Sequence, residues 1–380
     1  MTLTGKRPRP ILTRNIPRVQ GLDRGQGWKT PIAPRGSSPN RSVVATRSGP
    51  IRAGWARHRP VVSGKEGPGA MIPGQFDYVR PGNLDETLAI LRDREGEAKI
   101  LSGGYSLLPL MKLRLAQPGL LVDLRDVAGL DQIVEKDDYL SIGGKATHRQ
   151  IHEAPVIRET YLVLHDITAT IGDPQVRNWG AIGGSVAHAD PASDWPALLL
   201  AANASIVCRG LSDDRHQARV GDNPAAVRSE VRERVLPARG FFLDAFSTAI
   251  APLEVLTEIR FPRRPRGQGG GWQKLERKVG DFATVGVAAV VKLDADGRIE
   301  RSGIGVTGVA DAPFAATDAE AALTGNAPSD ELFRKAGAAA AAQSRPVADV
   351  RGPVDYKRAM VAELTVRALN TALERARAYA

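Results

Sequence analysis

Two adjacent-glycine pairs, 80 positions apart, constrain this chain more than any other feature: Ser102-Gly103-Gly104-Tyr105-Ser106 and Ala181-Ile182-Gly183-Gly184-Ser185. Glycine lets a backbone N–H approach an anion closely, and a neighbouring serine adds a hydroxyl donor, which is how peptide nests hold phosphate. Two such loops can grip one diphosphate. Either cluster alone also fits an ordinary turn or bulge beside a strand, so the surroundings have to decide. The first follows the apolar Lys99-Ile100-Leu101 and leads into LLPLMKLR (Leu107 to Arg114). The second lies between DPQVRNWG (Asp173 to Gly180) and VAHADP (Val186 to Pro191).

A third glycine pattern, Gly303-Ile304-Gly305-Val306-Thr307-Gly308, matches GxGxxG literally. A dinucleotide fingerprint needs a strand before it and a helix opening from it. Here the alternating, β-branched Ile304, Val306, Thr307 and Val309 read as a strand that Pro313 ends, so no nicotinamide site is expected.

The 380-residue chain is long enough for two or three domains with buried cores. Its net charge of +10 is unevenly placed: residues 1–70 hold 14 Lys/Arg against Asp23 and Glu66, and the remainder is close to neutral. That leader is rich in Pro, Gly and Ser, lacks apolar periodicity, and is expected to be disordered. A basic arm is one reading of it, although with only Trp28 and Trp55 as aromatics it suits no specific nucleic acid. No apolar run approaches the length of a membrane span. Cys208 is the only cysteine, so the chain forms no internal disulfide and builds no Cys-ligated iron–sulfur cluster by itself. It lies in a strand-like run and reads as a buried small hydrophobe.

His148 and His152 are spaced i, i+4, but no third ligand is evident nearby, and a solvated helix face is the expectation. No Ser/His/Asp arrangement, paired acid and base, or metal motif is present. Catalytic residues and metal ligands are therefore both expected to be absent, and the chemistry to reside in a cofactor.

From Met71 onward the chain resembles the flavoprotein (medium) subunit of the molybdenum hydroxylases, the family of carbon monoxide dehydrogenase and xanthine dehydrogenase. The resemblance is carried by MIPGQFDYVRPGNLDETLAIL, SGGYSLLPLMKLRLAQP, DPQVRNWGAIGGSVAHADPASDWPAL and KLERKVGDFAT. It implies an α+β fold: a two-part FAD-binding domain of the vanillyl-alcohol-oxidase/PCMH type, followed by a small α+β C-terminal domain of the CO dehydrogenase flavoprotein type. It further implies noncovalent FAD, with Ser102, Gly103, Gly104, Tyr105 and Ser106 and with Ala181, Ile182, Gly183, Gly184 and Ser185 at its diphosphate. Asp194 is placed near the ribityl or flavin end, and Lys274 at another flavin-site position. Asp194 also reads as a helix N-cap ahead of Trp195-Pro196, and the two roles are compatible. Two positions depart from the family pattern, Ser102 where Ala is usual and Ala181 where Thr is common. His188 is expected to make a supporting hydrogen bond.

By the same resemblance, FAD takes electrons from a small [2Fe–2S] subunit fed by a large molybdopterin subunit, and passes them to quinone, NAD or oxygen. The implied assembly is a dimer of heterotrimers, cytoplasmic or at the inner face of the membrane, with no transmembrane segment. The alternative is a stand-alone FAD-dependent oxidoreductase of the same fold. The expected boundaries are a leader over 1–70, an FAD-binding domain over 71–265 interrupted near 211–232 by an exposed loop or hairpin extension, and a C-terminal domain over 270–380. Arg263–Gly271 reads as a linker. Because the resemblance begins at Met71, a start site at Met71 is favoured over a targeting peptide.

Overall fold

A computed structural model describes residues 72–211 and 231–380, both within a unit that runs from Arg59 to Ala380. The expectations for residues 1–70 and for most of 211–232 lie outside the described residues.

The described residues open with a βαβαβ run: β1 (Asp77–Val79), α1 (Leu84–Asp93), β2 (Ala98–Leu101), α2 (Leu107–Lys112) and β3 (Leu120–Asp123). The three strands form a parallel sheet in the order β1-β3-β2. All four residues of β3 are buried, as the central strand of a covered parallel sheet requires. Asn83 caps α1 by accepting the Glu86 N–H at 2.9 Å, and Asp85 and Glu86 add negative charge at the positive end of the helix dipole.

Next come β4 (Ile133–Glu135), β5 (Tyr139–Gly143) and six short helices: α3 (His148–Glu153), α4 (Pro155–Glu159), α5 (Leu162–Thr170), α6 (Pro174–Trp179), α7 (Ile182–His188) and α8 (Asp194–Ala201). Thr147 and Gln150 close a capping box at the start of α3. Strands β6 (Ser205–Leu211), β7 (Val231–Pro237), β8 (Phe242–Asp244), β9 (Ser247–Thr248) and β10 (Glu254–Pro262) follow. A five-stranded antiparallel sheet, β4-β5-β10-β6-β7, backs the helices, and β8 pairs with β9 as a small separate ribbon. Leu211 pairs with Val231, so both ends of the 211–232 segment belong to a strand pair.

The last part comprises β11 (Gln268–Leu275), β12 (Val285–Leu293), β13 (Ile299–Thr307), β14 (Phe314–Ala315), α9 (Thr317–Leu323), α10 (Asp330–Gln343) and α11 (Val354–Ala378). Its four strands form one antiparallel sheet, covered on one face by α9, α10 and α11 around a core that includes Val287, Ile304, Phe333 and Leu369. Helix α8, buried at every residue, packs on the other face against β12 and β13.

Two glycine-rich stretches take their meaning from these helices. Gly303 and Gly305 lie in β13 beneath α8, where a Cβ would collide with the carbonyls of Ala201 and Ala197. The literal GxGxxG is thus a strand on which a helix sits at backbone distance. Gly269 and Gly271 correct the linker expectation: they belong to β11, and a side chain there would strike the Ala372 and Ala368 carbonyls of α11. Their glycines serve close helix–strand packing and not flexibility.

Candidate functional site

The two glycine loops meet. Gly103 and Gly104 follow β2 with φ of +79° and +95°, the left-handed region that glycine adopts without steric cost. A methyl group on Gly103 would stand 2.9 Å from the Trp179 carbonyl and 3.0 Å from the Ala181 nitrogen. One on Gly184 would stand 2.6 Å from the Ser102 carbonyl. Gly183 presses on a third segment, since its N–H donates to Gly144 O at 2.8 Å and a Cβ would overlap that carbonyl. Bare backbone is therefore required first for the loops to seat on one another.

Donors remain for a ligand. Gly104 N–H turns back on Ser102 O at 3.1 Å, Ile182 N–H donates to Ala146 O at 3.0 Å, and Ser185 N–H donates to Ala181 O at 3.1 Å. Among the described residues, no acceptor meets the N–H groups of Gly103, Tyr105, Ser106 or Gly184. The buried Ser102 hydroxyl likewise lacks a partner, whereas Ser185 Oγ shares a 3.0 Å hydrogen bond with Ser193 Oγ. Tyr105 is exposed, and Ile182 is fully buried in the core behind the loop.

The loops open on a cavity of about 890 Å³ that also receives Asp194 and Lys274. Asp194 is the first residue of α8; Ser193 occupies the N-cap position, so Asp194 is not the expected cap. Its side chain turns to the cavity instead, with Oδ2 accepting from Lys274 Nζ at 2.8 Å. Lys274 arrives from β11, donates also to Thr170 O at 3.0 Å, and lies 3.3 Å from Glu276. The Asp194 carboxyl is pushed up to about 6: burial raises it most, Lys274 pulls it back, and Glu276 and Asp190 add to the rise. Its Oδ1 is buried without a partner. The cavity thus carries orphaned donors at the loops and an orphaned acceptor at Asp194.

Three more features escaped sequence reading. His148 is buried, not on a solvated face, and its Nδ1 accepts from Trp195 Nε1 at 3.2 Å. His152 stacks on His165 with centroids 4.0 Å apart, so the two spaced histidines diverge, and no metal-ligand cluster exists among the described residues. The His188 ring hydrogen-bonds to no described residue; it packs 5.1 Å from the ring of Phe246, and burial lowers its pKa. Phe246 lines the cavity from the β8–β9 turn at φ +57°, a conformation strained for a bulky residue and held by its N–H to Ala189 O at 3.0 Å. No local signal marks Phe246. The capping box of Thr147 and Gln150 starts the helix that carries His148.

Residues 74–222 match the family described as the FAD binding domain in molybdopterin dehydrogenase, and residues 271–372 match the CO dehydrogenase flavoprotein C-terminal domain. The chain is 38% identical over 314 residues to the carbon monoxide dehydrogenase medium chain of Afipia carboxidovorans, covering 81% of this chain and all of that one. It is 36% identical over 305 residues to the medium chain of Hydrogenophaga pseudoflava, covering 80% and 99%. The chain belongs to the FAD-binding medium subunits of the molybdenum hydroxylase family. A solved carbon monoxide dehydrogenase from Hydrogenophaga pseudoflava superposes on this medium subunit with a TM-score of 0.72 at 38% identity, over 80% of this chain and 99% of the other. The expected α+β architecture of FAD-binding domain and CO dehydrogenase flavoprotein domain is borne out, and the chain is an FAD-dependent oxidoreductase subunit. No helix among the described residues is long and apolar enough to cross a membrane.

Proposed function

We propose that this chain holds one FAD noncovalently in the cavity between its two glycine loops and relays electrons from a small [2Fe–2S] subunit to quinone, NAD or oxygen. In this reading a large molybdopterin subunit supplies those electrons, and the complex is a cytoplasmic dimer of heterotrimers. The observation that carries the reading is the seating of Gly184 on the Ser102 carbonyl, which gathers unpaired N–H donors from two distant segments at one cavity.

The residues suit the cofactor. A volume of about 890 Å³ lies within the several-hundred-Å³ range of cofactor sites. The donors at Gly103, Tyr105, Ser106 and Gly184, with the Ser102 hydroxyl, are the chemistry a diphosphate needs. Ala181, Ile182, Gly183 and Ser185 shape the second loop, and Gly104 the first. When bound, FAD supplies reversible one- and two-electron chemistry; the protein binds, orients and tunes it. Asp194 offers Oδ1 as an acceptor, while Lys274, fixed between Asp194, Glu276 and Thr170 O, brings positive charge to the same wall.

We place the FAD-binding domain over 71–265 and the C-terminal domain over 270–380, with Lys274 reaching into the site from the latter. The test is reconstitution of FAD-free protein with FAD, followed by visible absorbance. One FAD per chain is expected, and a folded protein that stays colourless would overturn the reading. Copurification of iron–sulfur and molybdenum polypeptides is the expected outcome for the relay. Their absence, with direct substrate turnover, would favour a stand-alone oxidoreductase.

A further inference from the structure

We infer that His148 is a ligand-contacting residue of the cavity, donating a hydrogen bond from Nε2–H to the bound flavin nucleotide in a tautomer fixed by Trp195. The inference rests on the reading that this cavity holds FAD.

The tautomer follows from the donor inventory. Indole nitrogen only donates, so the 3.2 Å bond from Trp195 Nε1 requires a lone pair on His148 Nδ1, and in a neutral ring the proton then sits on Nε2. The ring stays neutral because burial pushes its pKa down to about 4, with the Arg177 charge acting in the same direction. Position is fixed as well: His148 opens α3, its own N–H donates to Gly180 O at 3.0 Å, and the residue is 4% exposed.

The free edge of the ring faces the second glycine loop. A Cβ on Gly180 would stand 3.0 Å from His148 Cδ2 and 3.1 Å from Nε2, so glycine at 180 leaves that edge uncovered. His148 and Gly180 both line the cavity. No group among the described residues hydrogen-bonds to Nε2. Nε2 is not sealed away from the cavity, so an Nε2–H donor there is open to an acceptor on a ligand that fills it. A histidine needed only to satisfy Trp195 would not have to present its second nitrogen there.

Two measurements test this on the full chain. Long-range 15N correlation of the FAD-free protein should show His148 as the Nε2–H tautomer from pH 5.5 to 8, and a protonated Nδ1 would overturn the inference. FAD titration of the reconstituted protein then separates contact from packing. H148Q, which keeps an amide donor and an acceptor for Trp195, should bind FAD within about twofold of wild type. The double variant W195F/H148L, which removes donor and acceptor together without stranding the indole N–H, should bind about fivefold more weakly, the size of one neutral hydrogen bond. Circular dichroism and urea midpoints confirm that each variant is folded. If H148Q binds as weakly as W195F/H148L, or if W195F/H148L binds like wild type, the contact is refuted while the FAD reading stands. Wild-type protein that takes up no FAD would overturn both.

Discussion

Gly184→Ala separates loop seating from ligand chemistry. The added methyl would stand 2.6 Å from the Ser102 carbonyl, and an ordinary contact lies near 3.4 Å or beyond, so the seam between the loops has to open by several tenths of an ångström. Overpacking of this kind costs about 1–3 kcal/mol. Gly184 lies inside α7, however, where Ala is favoured over Gly by about 1 kcal/mol. The FAD-free protein should therefore lose no more than about 2 kcal/mol, since the two effects oppose each other. FAD affinity has no such offset. Moving the Gly184 and first-loop donors apart sacrifices one or more charge-assisted hydrogen bonds, each about 1.5–3 kcal/mol, or roughly 10- to 100-fold in Kd. Urea denaturation of the FAD-free protein gives the first quantity and FAD titration the second. A variant that binds FAD as tightly as wild type would refute the two-loop seat. A variant that loses stability and affinity in parallel would show that the seam is a folding contact alone.

Asp194→Asn tests the buried carboxyl through pH. Its pKa is raised from 3.8 to about 6, so the folded state holds the proton more tightly than the unfolded chain. The stability this gives is complete below about pH 3.8 and is lost as pH rises through 6. Relative to the variant, wild type should lose on the order of 2 kcal/mol between pH 4.5 and 7.5 in FAD-free denaturation; parallel pH profiles would contradict this. Lys274→Met strands Asp194 in a buried site and should cost about 3–5 kcal/mol at pH 7.5. The loss should shrink at pH 5, where Asp194 takes up a proton, and an equal loss at both pH values would refute the pairing. Gly305→Val drives a side chain into the Ala197 carbonyl. It should lower the urea midpoint without selectively expelling FAD, and a normally stable, FAD-free variant would mean that β13 contributes to the site directly.

Local rules read well where the deciding contacts are local. The strand nature of Gly303–Gly308 and the Asn83 cap both follow from periodicity and capping chemistry within a few residues. Misreadings arose where the partner lies far along the chain. His148 looked solvated because Trp195, 47 residues away, is invisible to a helical-spacing rule. Asp194 looked like a cap because its partner Lys274 is 80 residues distant. Gly269–Gly271 looked like a linker because α11, which needs a bare strand beneath it, begins only at Val354. Local composition carries no record of such contacts.

The cavity is not confined to the segment that carries the glycine loops, because its walls come from elements far apart along the chain. Asp194 heads α8, a helix with no exposed residue, wedged between the core behind the loops and the sheet that supplies Lys274. A carboxyl there is tolerable as an anion only while an ammonium from β11 faces it, and Lys274 is itself held by Thr170 O and Glu276. The glycines of β13 let α8 approach that sheet at backbone distance, so the position of Asp194 depends on Gly303 and Gly305 although neither lines the cavity. Packing between the two parts thus sets the geometry of one wall of the site, while the loop-on-loop seat sets the other. A change in either part is felt at the ligand through backbone position before any ligand-contacting side chain is altered.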